Sequence, residues 1–139
     1  MNSKYLIIFF LLIVTNYLSL AQDGQAIKIR AFEAACCLEG QNCDKVEWHR
    51  TNILIVITYS NEKIKIYSEG IQDFDILKDY DKTTDNDGDS WYRYEVVDQD
   101  GKKCDIYLYM YKKFNPDYRG GVLVKYKDHT FMYKYKIIE

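Results

Sequence analysis

Proline is nearly absent: Pro116 is the single one in 139 residues. The seven glycines are scattered and never form a repeat. Collagen-like and low-complexity chains are thereby excluded. Histidine is equally scarce, with only His49 and His129. There is no His-Glu-x-x-His, no Gly-x-Ser-x-Gly and no glycine-rich phosphate loop. Charge of one sign is lacking too: 19 basic against 21 acidic residues leaves a net −2. A balanced chain gives no electrostatic footprint for nucleic acid. Sustained helical periodicity is missing throughout. The length admits one domain and hardly two.

What is present begins with a leader. Lys4 and the amino terminus are positive, and the chain is almost wholly apolar from Tyr5 to Leu20. Ser19-Leu20-Ala21 then offers small residues at the positions read by a signal peptidase. This combination predicts a cleaved secretory signal over residues 1–21. The rival is an uncleaved anchor. Asn16 and Ser19 interrupt the run and leave it short of the roughly 20 apolar residues that span a bilayer. The mature chain then runs over residues 22–139 as a single β domain, secreted or periplasmic. It meets a membrane only through the signal before cleavage.

That mature chain reads as strands and turns. Residues 53–59 are a β-branched run apolar on both faces, which fits a fully covered strand. Residues 63–67 alternate polar and apolar. Phe74 and Ile76 share a face with Gln72. Tyr92, Tyr94 and Val96 lie opposite Arg93 and Glu95. Asp98-Gln99-Asp100-Gly101 predicts a hairpin turn, because glycine supplies the positive φ. The clearest alternation follows. Cys104, Ile106, Leu108 and Met110 are expected to face the core, with Tyr107, Tyr109 and Tyr111 opposite. Asn115-Pro116-Asp117 marks a longer connection. Val122, Val124 and Tyr126 share the next face, then Phe131, Tyr133, Tyr135 and Ile137. Ile27, Ile29 and Ala31 alternate near the start, and residues 33–37 suit a turn of helix but are too short a run to stand alone. The fold class is therefore all-β: an antiparallel meander of seven or eight strands forming a small barrel or strongly curled sheet, since closure removes exposed edges.

From about Ile53 onward the chain resembles a loose group of short exported bacterial proteins of unknown function. The segments that carry the resemblance are Ile64-Lys65-Ile66-Tyr67-Ser68, Thr84-Asp85-Asn86-Asp87-Gly88-Asp89, and Val97 through Cys104. The resemblance implies strands and turns and brings no chemistry with it.

Four features are candidates for a site. Cys36, Cys37, Cys43 and Cys104 sit in an exported chain, where disulfides persist. Cys36 or Cys37 with Cys43 would pin a short loop. Zinc is the rival, but the Cys-x2-Cys spacing of structural zinc sites is missing, so no metal is expected. Cys104 also fits a buried free thiol. The acidic stretch Asp79–Asp89 is rich in oxygen ligands, yet both calcium-loop frames lack the required glycine and glutamate. It reads as a solvated turn. Tyr107, Tyr109, Tyr111 and Arg93 form the candidate ligand-binding face. Tyrosine also simply suits half-exposed strands. Finally, with no local catalytic signature, no catalytic residue and no cofactor are expected. The expected function is a non-enzymatic binding or interaction module for an extracytoplasmic protein or carbohydrate. The alternative is a small secreted hydrolase with a carboxylate or histidine centre.

Overall fold

Strict side-chain alternation decides this architecture, because every strand has one face that water rejects. The computed structural model describes residues 26–113 and 119–137. The leader, the start of the mature chain and the Asn115-Pro116-Asp117 connection lie outside the described residues. Among the described residues the strands are β1 (Ala26–Leu38), β2 (His49–Thr58), β3 (Lys63–Tyr67), β4 (Ile71–Asp79), β5 (Thr83–Thr84), β6 (Ser90–Val97), β7 (Lys103–Met110), β8 (Gly120–Lys125) and β9 (His129–Ile137). All pairings are antiparallel. β4 pairs β6, and β1 pairs β9, so eight strands close into a barrel. The two-residue β5 is an extra strand on β6.

Eight strands leave an interior just wide enough for side chains to fill. Here Ile55, Ile57, Ile64, Ile66, Phe74, Tyr94, Val96, Ile106, Val122 and Val124 are fully buried and form one cluster. Buried tyrosines bring hydroxyls that need partners. The Tyr94 hydroxyl pairs with that of Tyr59 at 2.7 Å. The Tyr135 hydroxyl donates to the Tyr109 carbonyl at 2.7 Å. Burial, and then the nearby Tyr111, push the Tyr135 phenol up to about 12.

Gly101 takes φ +80° in the β6–β7 hairpin. Asp98 Oδ1 accepts the amides of Asp100 and Lys102, each at 2.9 Å. Its Oδ2 accepts from the Tyr126 hydroxyl at 2.8 Å. Partial burial works to raise the Asp98 carboxyl, but these donors hold it below its usual range.

Residues 33–37, which in sequence suit a turn of helix, are a continuation of β1. Phe32 is the reason. The register shifts between Ala31 and Glu33 against both neighbours: Phe32 is an extra residue opposite β9, where Ala31 and Glu33 face the consecutive Tyr135 and Lys134, whereas against β2 the extra residue lies on β2. One extra residue reverses the alternation. Ile29 and Ala31 belong to the barrel core, whereas Ala35 and Cys37 emerge on the outer surface in a second cluster with Met132.

Candidate functional site

The reversal at Phe32 sends the β1–β2 connection back over the outside of the barrel. Val46 and Trp48 on that connection cover Ala35, Leu123 and Met132. A disulfide between Cys37 and Cys43 staples this flap, six residues apart in sequence. The Asn42 side chain accepts the Asp44 amide and caps the single turn at Cys43–Lys45.

Only two of the four cysteines pair. Cys36 and Cys104 are free thiols. Adjacent strand residues point to opposite sides, and it is the Cys37 sulfur that meets Cys43. Cys104 is buried in the barrel core. Burial drives its thiol up to about 11, which keeps it protonated and unreactive at neutral pH.

Across the outer face, register sets two rows. Trp91, Tyr109, Gly121 and Lys134 lie side by side on β6, β7, β8 and β9, and Arg93, Tyr107, Leu123 and Met132 form the row beneath. The Trp91 and Tyr109 rings lie 5.7 Å apart, and Tyr107 stacks on Tyr109 at 5.9 Å. Gly121 carries no side chain between Tyr109 and Lys134, which leaves a trough. The Lys134 ammonium sits 4.2 Å from the Trp48 ring centre and 3.4 Å from Glu33 Oε2.

The trough is a half-open groove of about 420 Å³, within the size range of small-molecule sites. The stapled flap supplies Cys43, Asp44 and Trp48. At the β6 side, the turn after β5 supplies Asp85 and Asp89. That turn is self-supporting. Asp85 Oδ1 accepts the amides of Asp87 at 3.0 Å and Asp89 at 2.9 Å. Asp89 Oδ1 accepts the Lys112 amide at 3.0 Å. The expected solvated turn is thus also a groove wall.

Comparisons with known protein families, curated proteins and solved structures found no match.

The four residues expected to bind are not one constellation. All four lie on the outside of the barrel, and Leu108 between the tyrosines is buried. Tyr109 and Tyr111 line the groove. Tyr107 supports Tyr109 from beside it and lines a separate depression near Lys125 and Tyr126. Arg93 is engaged elsewhere: it bonds Asp105 at 3.3 Å and lies 4.5 Å from the centre of the Tyr80 ring. Tyr107 and Tyr109 are half-buried, because they cover each other and Trp91. Burial, then the neighbouring Tyr107, raise the Tyr109 phenol. It stays neutral at physiological pH and keeps a proton to donate.

Sequence reasoning passed over Trp48, Trp91 and Asp44. The available signal was composition. The chain has two tryptophans, and both line this groove. Neither histidine does. His49 borders another depression beside Cys36, and His129 stacks on Tyr126 and bonds Asp128 at 2.7 Å. Ser90, at a strand start, is buried and its hydroxyl is bonded to that of Thr84 at 3.0 Å.

Proposed function

We propose that this chain is an exported, non-enzymatic binding module whose ligand lies in the outer groove. The carrying observation is that both tryptophans, 43 positions apart in sequence by their numbers, converge on that one trough. Aromatic anchors of this kind dominate recognition surfaces. The rigid walls support the same reading: one is stapled by Cys37–Cys43 and the other is locked by Asp85. A site ordered before its ligand arrives loses less entropy on binding. The disulfide also favours an oxidising compartment, in keeping with the expected leader. No helix among the described residues is long and apolar enough to cross a membrane.

The hydrolase alternative draws less support. It needs a histidine or a paired acid at the site's centre. The groove is lined by neither histidine, and two of its three carboxylates, Asp85 and Asp89, already hold backbone amides.

The test is an array of extracytoplasmic glycans and peptides, followed by NMR of the indole N–H signals. A ligand in the groove should move the Trp48 and Trp91 signals together. Ligands that bind while moving neither would place recognition elsewhere.

A further inference from the structure

We infer that the groove takes a short uncharged oligosaccharide, an inference that rests on the groove being the binding surface. Three observations lead there. First, its floor offers aromatic faces with a side-chain-free trough at Gly121 between Tyr109 and Lys134. An aromatic face is electron-rich and attracts the weakly positive C–H face of a pyranose ring. Second, its rim presents oxygen acceptors, from Asp44 on one wall and Asp85 and Asp89 on the other. Asp85 and Asp89 each place one oxygen on backbone amides; the second oxygen of each carboxylate suits a sugar hydroxyl, since ionised acceptors make the stronger hydrogen bonds. Third, the rim's charge selects within the class. Three carboxylates face one ammonium, and that Lys134 ammonium is already paired with Glu33. Uronic, sialic and sulfated sugars would meet like charge there.

A peptide fits the structure less well. Extended peptides gain affinity by adding a strand to an open sheet edge. Among the described residues the eight barrel strands close on one another, since β4 pairs β6 and β1 pairs β9, so no strand is open along its whole length. A proline-rich peptide, which stacks on aromatics without an edge, is the outcome to test against.

The full mature chain is titrated with cellotriose, maltotriose and N,N′-diacetylchitobiose, then with trigalacturonate and an oligoproline peptide. Tryptophan fluorescence and calorimetry are the readouts. Both tryptophans line the groove, so a bound ring changes their emission directly. At least one uncharged sugar is expected to saturate the signal, and trigalacturonate is not. Trp91→Ala should weaken that binding by about tenfold or more, the loss of one aromatic anchor. Trp91→Phe keeps a stacking face and should restore most of it, which separates recognition from misfolding. If all three uncharged sugars fail, or trigalacturonate binds equally well, the inference is overturned. Oligoproline binding that Trp91→Ala abolishes would refute the sugar while leaving the groove as the binding surface. Binding of a sugar that neither Trp91→Ala nor Trp48→Ala weakens would remove both. Silence from every probe, here and on the broader array, would also remove both.

Discussion

Reduction of the Cys37–Cys43 bond perturbs both stability and the groove, and the two effects are separable. The bond closes a loop with a sequence separation of 6. The chain-entropy expression for so short a loop gives about 2 kcal/mol of stabilisation. Unfolding entropy near 60 °C is about 2.1 cal/mol/K per residue, so a domain of about 110–120 residues changes Tm by about 4 °C for each kcal/mol. Reduction alone should therefore lower Tm by about 8–10 °C. Replacing both cysteines by alanine removes buried sulfur as well, since Cys37 packs with Ala35 and Met132. That should cost about 1 kcal/mol more. The assay is circular-dichroism melting with and without a phosphine reductant, in a Cys36→Ser background so that the neighbouring thiol does not exchange in. Trp48 rides on the stapled flap, so its emission should shift to the red on reduction well below the melt. If the reduced protein melts within about 2 °C of the oxidised form, the staple does not restrain the unfolded chain as argued. If the emission does not move, the flap is held by Val46 and Trp48 packing and not by the bond.

Four further outcomes are expected. Leu108→Ala should destabilise by about 2–5 kcal/mol because Leu108 is in the core, whereas Tyr107→Ser, on the outer face, should cost about 1 kcal/mol or less in the same denaturant titration; the reverse order would exchange the two faces. A Cβ at Gly120 would run into the Tyr109 carbonyl oxygen and the Tyr135 hydroxyl, so Gly120→Ala should be among the most damaging small substitutions, and a wild-type melt would refute the close approach. Tyr135 has a folded pKa of about 12, above the ordinary value of 10; its contribution should be full below pH 10 and decline between pH 10 and 12, and Tyr135→Phe should flatten that loss and remove a tyrosinate absorbance step near pH 12, a step already at pH 10 refuting the burial. Mass spectrometry of the exported protein should find an amino terminus at Gln22, and an intact Met1 would refute cleavage.

The barrel was legible because strands with one wet face announce it. Cys104, Ile106 and Leu108 alternate with Asp105, Tyr107 and Tyr109, and the structure puts the first three in the core. Asp98 to Gly101 marked its hairpin through turn chemistry that needs no tertiary partner. The bulge at Phe32 was not legible. An inserted residue looks like any other until two neighbouring strands establish the register. The end of β1 was obscured for that reason: residues 33–37 suited a helical turn as well as a strand, and Cys36 and Cys37 were indistinguishable as partners for Cys43. Trp48 was hidden because it lies on the β1–β2 connection, and only the folded flap carries it over the outer cluster. The tyrosine face was found on the right surface, but its site was drawn along one strand, and a groove is assembled across four.

Closure of the sheet explains why the groove lies outside. An eight-stranded barrel lined by small residues leaves room for a ligand. This one packs the large Phe74, Tyr94, Tyr133 and Tyr135 into its core, and the groove described above lies on its outer surface. Recognition then needs concavity on the convex outer surface, which a regular sheet does not supply. Two departures from regularity provide it. The bulge at Phe32 brings Cys37 to the outside, where it holds one wall, and the Asp85 turn beyond β5 builds the other. Gly121 completes the trough by contributing no side chain. The same residues that break the strand pattern are therefore the ones that make a binding surface possible, and substitutions at them should impair recognition before they impair the barrel.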